Sequence, residues 1–90
     1  MPKYDNENCE AKYEMIKTKC YATLREVFAS GNYEFLKHNC CATLKTTSDE
    51  CIKLIFNEHP FKDAFKPESA RFGHLCKQHC MTIPDPEMMV

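Results

Sequence analysis

Cys40 and Cys41 are adjacent in a chain of 90 residues that holds seven cysteines. Neighbours on a helix point about 100° apart, so bridges from this pair run to two different neighbouring elements. The other cysteines are Cys9, Cys20, Cys51, Cys76 and Cys80. The gaps are ten residues, nineteen, the doublet, then nine, twenty-four and three. When secreted, a short chain with about 8% cysteine reads as a disulfide scaffold; in the cytosol the same cysteines would be reduced, metal-bound or redox-active. A core of this size is marginal. Each native bridge in such a domain contributes about 2–5 kcal/mol, comparable with the domain's whole stability.

Twelve basic and thirteen acidic residues nearly cancel, and the lysines are spread from Lys3 to Lys77. No basic stripe forms, so nucleic acid is not an expected partner. No apolar run is long enough to span a bilayer. Met1 to Asn8 is polar throughout and does not read as a leader. Secretion therefore implies a leader already removed, with Met1 an added residue.

Two glycines, few β-branched residues and no hairpin dipeptide indicate an all-α chain. The first helix is expected over about 9–29, with Tyr13, Ile16, Cys20, Leu24, Val27 and Phe28 recurring at three- and four-residue steps. Asn8 is its N-cap and Gly31 its stop. A second helix is expected over about 33–45, capped by Asn32, with Phe35, Leu36, Cys40 and Leu44 facing inward. Thr47 to Glu50 fits a capping box, with Thr47 as the cap of a third helix. Cys51, Leu54 and Ile55 share its face, and His59-Pro60 ends it. Phe61 to Lys66 reads as a linker whose Phe61 and Phe65 fold over the core. Pro67 fits the first position of a fourth helix that carries Ala70, Phe72, Leu75, Cys76 and His79. Gly73 weakens that helix by about 1 kcal/mol relative to alanine. The organisation is a disordered segment at 1–8, one helical domain at 9–80 and a flexible tail at 81–90 with Pro84 and Pro86. Cys9 and Cys20 lie about 16 Å apart on one straight helix and cannot pair there. Cys76 and Cys80 sit one turn apart, a poor geometry for bridging each other, so either can serve as the fourth helix's partner.

Two cysteines on a first helix, a doublet on a second and single cysteines on the third and fourth resemble the plant prolamin superfamily. The order Cys9, Cys20, Cys40, Cys41, Cys51, Cys76 most resembles its prolamin-like family of egg-cell- and embryo-sac-secreted proteins. The local text fits as well: Lys19-Cys20-Tyr21, then Val27-Phe28-Ala29-Ser30-Gly31, Cys40-Cys41-Ala42-Thr43-Leu44 and Glu50-Cys51. The match covers roughly Cys9 to Cys76. It implies a small disulfide-stapled four-helix bundle with Cys9–Cys51, Cys20–Cys40 and Cys41–Cys76 bridges. Cys80, extra to the six-cysteine pattern, would stay free or link to a second chain as a disulfide-bonded dimer. It further implies recognition of a protein receptor or cell-surface partner, in reproductive signalling between female tissue and pollen tube or sperm. The eight-cysteine lipid carriers of the superfamily have Cys-x-Cys after the doublet, where this chain has Cys51-Ile52-Lys53.

His74, Cys76, His79 and Cys80 cluster on the last helix, but no Cys-x-x-Cys and no second half-site accompany them, so no metal is expected. A helical hairpin of the mitochondrial intermembrane-space type needs two equal nine-residue gaps. Cys41 to Cys51 has nine, Cys9 to Cys20 has ten, and the doublet has no place there. Cys80 beside His79 is the closest approach to a Cys–His nucleophile, and it is a pair in sequence only. No catalytic residue and no cofactor are assigned. Phe28, Phe35, Phe56, Phe61, Phe65 and Phe72 can line an apolar-ligand pocket or fill a core, so a lipid carrier stands as the alternative function. A defence or inhibitor peptide is the third, with near-neutral charge arguing against membrane lysis. An exposed tyrosine among Tyr4, Tyr21 and Tyr33 would suit a partner anchor.

Overall fold

The computed structural model describes residues 8–36 and 38–83. Among them the chain is all-helical: α1 (Cys9–Lys19), α2 (Tyr21–Ser30), a 3-10 turn (Tyr33–Phe35), α3 (His38–Lys45), α4 (Asp49–Ile55), α5 (Phe61–Ala64) and α6 (Ser69–Met81). Three disulfides staple these segments into a small bundle. α6 lies against α3, α4 and α5, and α1 packs on α3 and α4. No described helix is long and apolar enough to cross a membrane. Tyr4 and most of the two flanking segments lie outside the described residues. Met81 closes α6, and the Ile83 carbonyl accepts a hydrogen bond from Lys45 Nζ at 2.8 Å.

The expected first helix is present in two pieces. Cys20 interrupts it at φ −114°, although its N–H still reaches the Ile16 carbonyl at 2.8 Å and its carbonyl accepts from Leu24 N at 2.7 Å. Thr18 Oγ1 donates back to the Glu14 carbonyl at 2.9 Å, a bond that bends helices. The Cys20–Cys40 bridge anchors the chain at that bend. Asn8 precedes α1 in the left-handed region, φ 57°, a conformation asparagine tolerates. Its backbone carbonyl accepts from Ala11 and Lys12, and its side chain makes no cap bond. Gly31 ends α2 as expected, at φ 73°, with its N–H on the Val27 carbonyl at 2.7 Å.

The second helix is shorter than its periodicity predicts. Asn32 Oδ1 accepts from Glu34 N at 3.0 Å, but the turn it caps is 3-10, and Leu36 is extended before α3 begins. The third cap is displaced by one residue. Ser48 is the N-cap, its Oγ accepting from Cys51 N at 3.1 Å. Thr47 is fully buried, so its hydroxyl must find an acceptor inside. It donates to the Thr43 carbonyl at 2.7 Å and thereby ties α4's approach to the end of α3.

The linker after Pro60 forms a single helical turn, α5. Four-residue spacing puts Phe61 and Phe65 on one side, and both are fully buried as expected. α6 begins two residues after Pro67. Ser69 fixes its start: the buried hydroxyl lies 2.6 Å from the Phe56 carbonyl and 3.0 Å from that of Phe61. Lys77 Nζ, on a side chain only 13% exposed, meets Asp49 Oδ1 at 3.1 Å and joins α6 to the start of α4.

Gly73 has a packing reason beyond its effect on helix propensity. A Cβ there would stand 2.5–2.8 Å from three atoms of the Phe56 ring, which is itself fully buried. Gly73→Ala gains about 1 kcal/mol of helix propensity but overpacks a filled site, at a cost of about 1–3 kcal/mol or more. We expect a net loss of stability in urea unfolding. Phe56→Leu in the same chain should reduce that loss by making room, and equal penalties in both backgrounds would contradict this packing account.

Candidate functional site

The cysteine framework holds the site. Cys9 at the start of α1 is bonded to Cys51 in α4, with Cα atoms 5.6 Å apart. Cys20 at the α1–α2 bend is bonded to Cys40 in α3, Cα atoms 5.2 Å apart. Cys41, the next residue, faces the other way and is bonded to Cys80 in α6, Cα atoms 5.1 Å apart. The doublet therefore serves two different elements, as the helix geometry requires.

The third bridge corrects the pairing that the resemblance implied. Cys76 does not bond to Cys41, and Cys80 is not the odd thiol; Cys76 is the free cysteine, fully buried. Cys80 is one turn further along α6 on the same face, and it is the residue that comes level with Cys41. The change also removes Cys80 as the linker of a dimer, and Cys76 is too enclosed to reach a second chain. Cys80 likewise offers no thiol to His79.

Burial pushes the Cys76 thiol up to about 12. It is therefore protonated, and a protonated thiol is neither a nucleophile nor a metal ligand. No group of three or more potential metal ligands occurs among the described residues. The His79 ring lies tilted against Tyr33 with centroids 5.9 Å apart, and its buried Nε2 has no hydrogen-bond partner. Burial raises the Tyr33 hydroxyl above its ordinary range, helped by the nearby Cys76 and opposed by Arg71.

Cys76 gives two expected results. Iodoacetamide at pH 8 should leave the native protein unlabelled and should label one thiol after denaturation, as read by intact mass. Stability should also fall as pH rises above the usual thiol value of 9.0. Between there and about 12 the unfolded chain releases this proton and the folded chain keeps it. The contribution is fully present below pH 9 and falls by about 1.4 kcal/mol per pH unit. Unfolding at pH 8 and pH 10 should therefore show the stability difference between the native protein and Cys76→Ala shrinking with pH. A constant difference would contradict a thiol held neutral by burial.

The phenylalanines divide into core and surface. Phe56, Phe61 and Phe65 are fully buried and Phe72 nearly so. Phe65 touches Phe72 with centroids 4.8 Å apart, and Phe56 touches Phe61 at 5.1 Å. Phe35 packs half-buried against the core. Phe28 is 42% exposed, its ring set edge-on to Phe65 and Phe72 at 5.4 and 5.1 Å. Leu75 on α6 is 40% exposed. The reason is angular: Val27 and Phe28, like Leu75 and Cys76, are consecutive on a helix. In each of these two pairs the neighbours, about 100° apart, have only one member turned inward.

Phe28 and Leu75 flank an open groove of about 290 Å³ between the end of α2 and the first half of α6. Its floor includes Val27, Tyr33 and Phe72, and Glu68 and Arg71 stand on its rim 3.8 Å apart. A second groove, about 320 Å³, lies between α4 and α6 and is lined by Asp49, Ile52, Lys53, Ala70, Arg71 and His74. Arg71 borders both. Of the tyrosines considered as anchors, Tyr33 lines the first groove. Tyr21 is half-buried, its ring against Phe61 and Phe65 and the Arg25 guanidinium 5.9 Å from its centre. Comparison with protein-family models, curated proteins and solved structures gives no match to this chain.

Proposed function

We propose that this chain is a secreted, cysteine-rich plant protein of the prolamin-like kind that acts by binding another protein. Its setting is recognition or signalling between female tissue and pollen tube or sperm. The observation that carries the recognition reading is the pairing of three disulfides with an exposed apolar surface around Phe28 and Leu75. Such a framework persists in an oxidising compartment. It also keeps that surface in one shape before a partner arrives, which lowers the ordering cost of association. The plant and reproductive setting rests on the cysteine order and local text alone. The Cys41–Cys80 bridge departs from the pairing this kinship implies, although both bridges tie the doublet to the same helix. The buried rings of Phe56, Phe61 and Phe65 occupy the interior that a lipid carrier would leave open, which favours recognition over transport.

The test is binding of the oxidised, fluorescently labelled protein to pollen tubes and sperm, with leaf cells as control. Saturable binding that unlabelled protein displaces and reduction abolishes is the expected result. Displacement of a fluorescent fatty acid from the protein, with no saturable cell binding, would favour the carrier. Seven free thiols in protein isolated from a reducing cytosol would overturn secretion.

A further inference from the structure

We propose that the ridge of α6 at Arg71 docks an extended segment of a partner protein bearing an apolar side chain and, three residues on, a carboxylate. The apolar side chain enters between Phe28 and Leu75, and the carboxylate crosses the ridge to Arg71, Lys53 and His74. This rests on the recognition reading and names the surface and the chemistry it selects.

Two features argue for this occupant. The first is charge. Among the described residues, the charged groups on the apolar groove are Glu68 and Arg71, both largely exposed and loosely paired at 3.8 Å. Across the ridge stand Lys53, Arg71 and His74 with one carboxylate, Asp49. Lys77 Nζ already meets that carboxylate at 3.1 Å, and His74 Nδ1 lies 3.9 Å from it. With Asp49 held by Lys77, the exposed charges of Lys53 and Arg71 leave the second groove a surplus of positive charge with His74 neutral, which complements an acidic segment. The second is dimension. The two grooves share Arg71 as a wall, and three residues of extended chain reach about 10 Å. One side chain can thus enter the first groove while the third residue beyond it reaches the other.

The test uses the full oxidised chain, labelled with nitrogen-15, titrated with an N-acetylated heptaserine peptide. The peptide carries leucine at its second position and aspartate at its fifth and sixth. One control replaces the aspartates by lysine, the other the leucine by serine. We expect saturable amide shifts at Phe28, Tyr33, Arg71 and His74, with each control weaker by about fivefold or more. Arg71→Glu, at an exposed site, should weaken binding about tenfold and leave the remaining spectrum in place. Equal binding of the lysine peptide, shifts on another face or no shifts at millimolar peptide would overturn the proposal. Cell-surface binding that survives Arg71→Glu would remove this docking site and leave recognition standing. Absence of cell binding by the unaltered protein would remove the recognition reading itself.

Discussion

Phe65→Ala will lower the unfolding free energy by about 3–5 kcal/mol, the cost of deleting a fully buried phenylalanine without collapse of the space it leaves. Phe65 is the ring at which the helices converge. It meets Phe56 and Phe61 on its own stretch of chain, Tyr21 and Phe28 from α2, and Phe72 from α6, with centroids between 4.8 and 6.2 Å. Aromatic pairs add about 0.5–1.5 kcal/mol each beyond burial, so this site belongs at the upper end of the range. The void is held open by disulfides on neighbouring elements, which restrict the helices from closing on it. A domain this size has about 5–13 kcal/mol in all. Thermal unfolding should therefore move down by 15 °C or more, at about 4–8 °C per kcal/mol. Phe28→Ala, on the same cluster but 42% exposed, should cost clearly less. Equal losses at the two positions would contradict the division of the phenylalanines into core and surface.

Removing the Cys41–Cys80 bridge has an effect of similar size. The two residues are 39 apart in sequence, and closing a loop of that length restricts the unfolded chain by about 4 kcal/mol in the chain-entropy description. Native bridges in small secreted domains usually contribute about 2–5 kcal/mol. The informative variant replaces both partners, Cys41→Ala with Cys80→Ala, because a lone Cys41 can pair with Cys76 during refolding. We expect that double variant to lose about 2–5 kcal/mol in denaturant unfolding, and Cys76→Ala to lose about 1 kcal/mol for the small void left by its sulfur. The reverse order of effects would place the bridge on Cys76.

The contrast between Cys76 and Cys80 marks where sequence reasoning stops. Helical periodicity puts both on one face of α6, four residues apart. Which one meets Cys41 depends on how far α6 slides along α3, a tertiary quantity that no local pattern encodes. The elements that were legible are those with a local cause: Gly31 as a stop, the Phe61–Phe65 pair, and a doublet that must diverge. Those that were not had competing local signals. The apolar spacing runs unbroken through Cys20, so the bend there, with its disulfide and the Thr18 back-bond, leaves no mark on the pattern. Thr47 and Ser48 are both good caps, and burial of Thr47 decided between them. A single turn such as α5 is too short to show a period. The exposed groove was hidden because Val27 and Phe28 look equally suited to a core until the helix angle assigns one inward. Gly73 read as a weakness, whereas the Phe56 ring against it supplies the reason.

Disulfide mapping of the unreduced protein tests the framework most directly. Free thiol is first alkylated under denaturing conditions, and the chain is then cut with trypsin. The positions of Lys12, Lys19, Arg25, Lys45, Lys53, Arg71 and Lys77 place Cys9, Cys20, Cys51, Cys76 and Cys80 on separate peptides. Residues 4–12 should be joined to 46–53, and residues 38–45 to both 20–25 and 78–90. The alkyl label should fall on 72–77. Residues 72–77 joined to 38–45, with the label on 78–90, would contradict this framework.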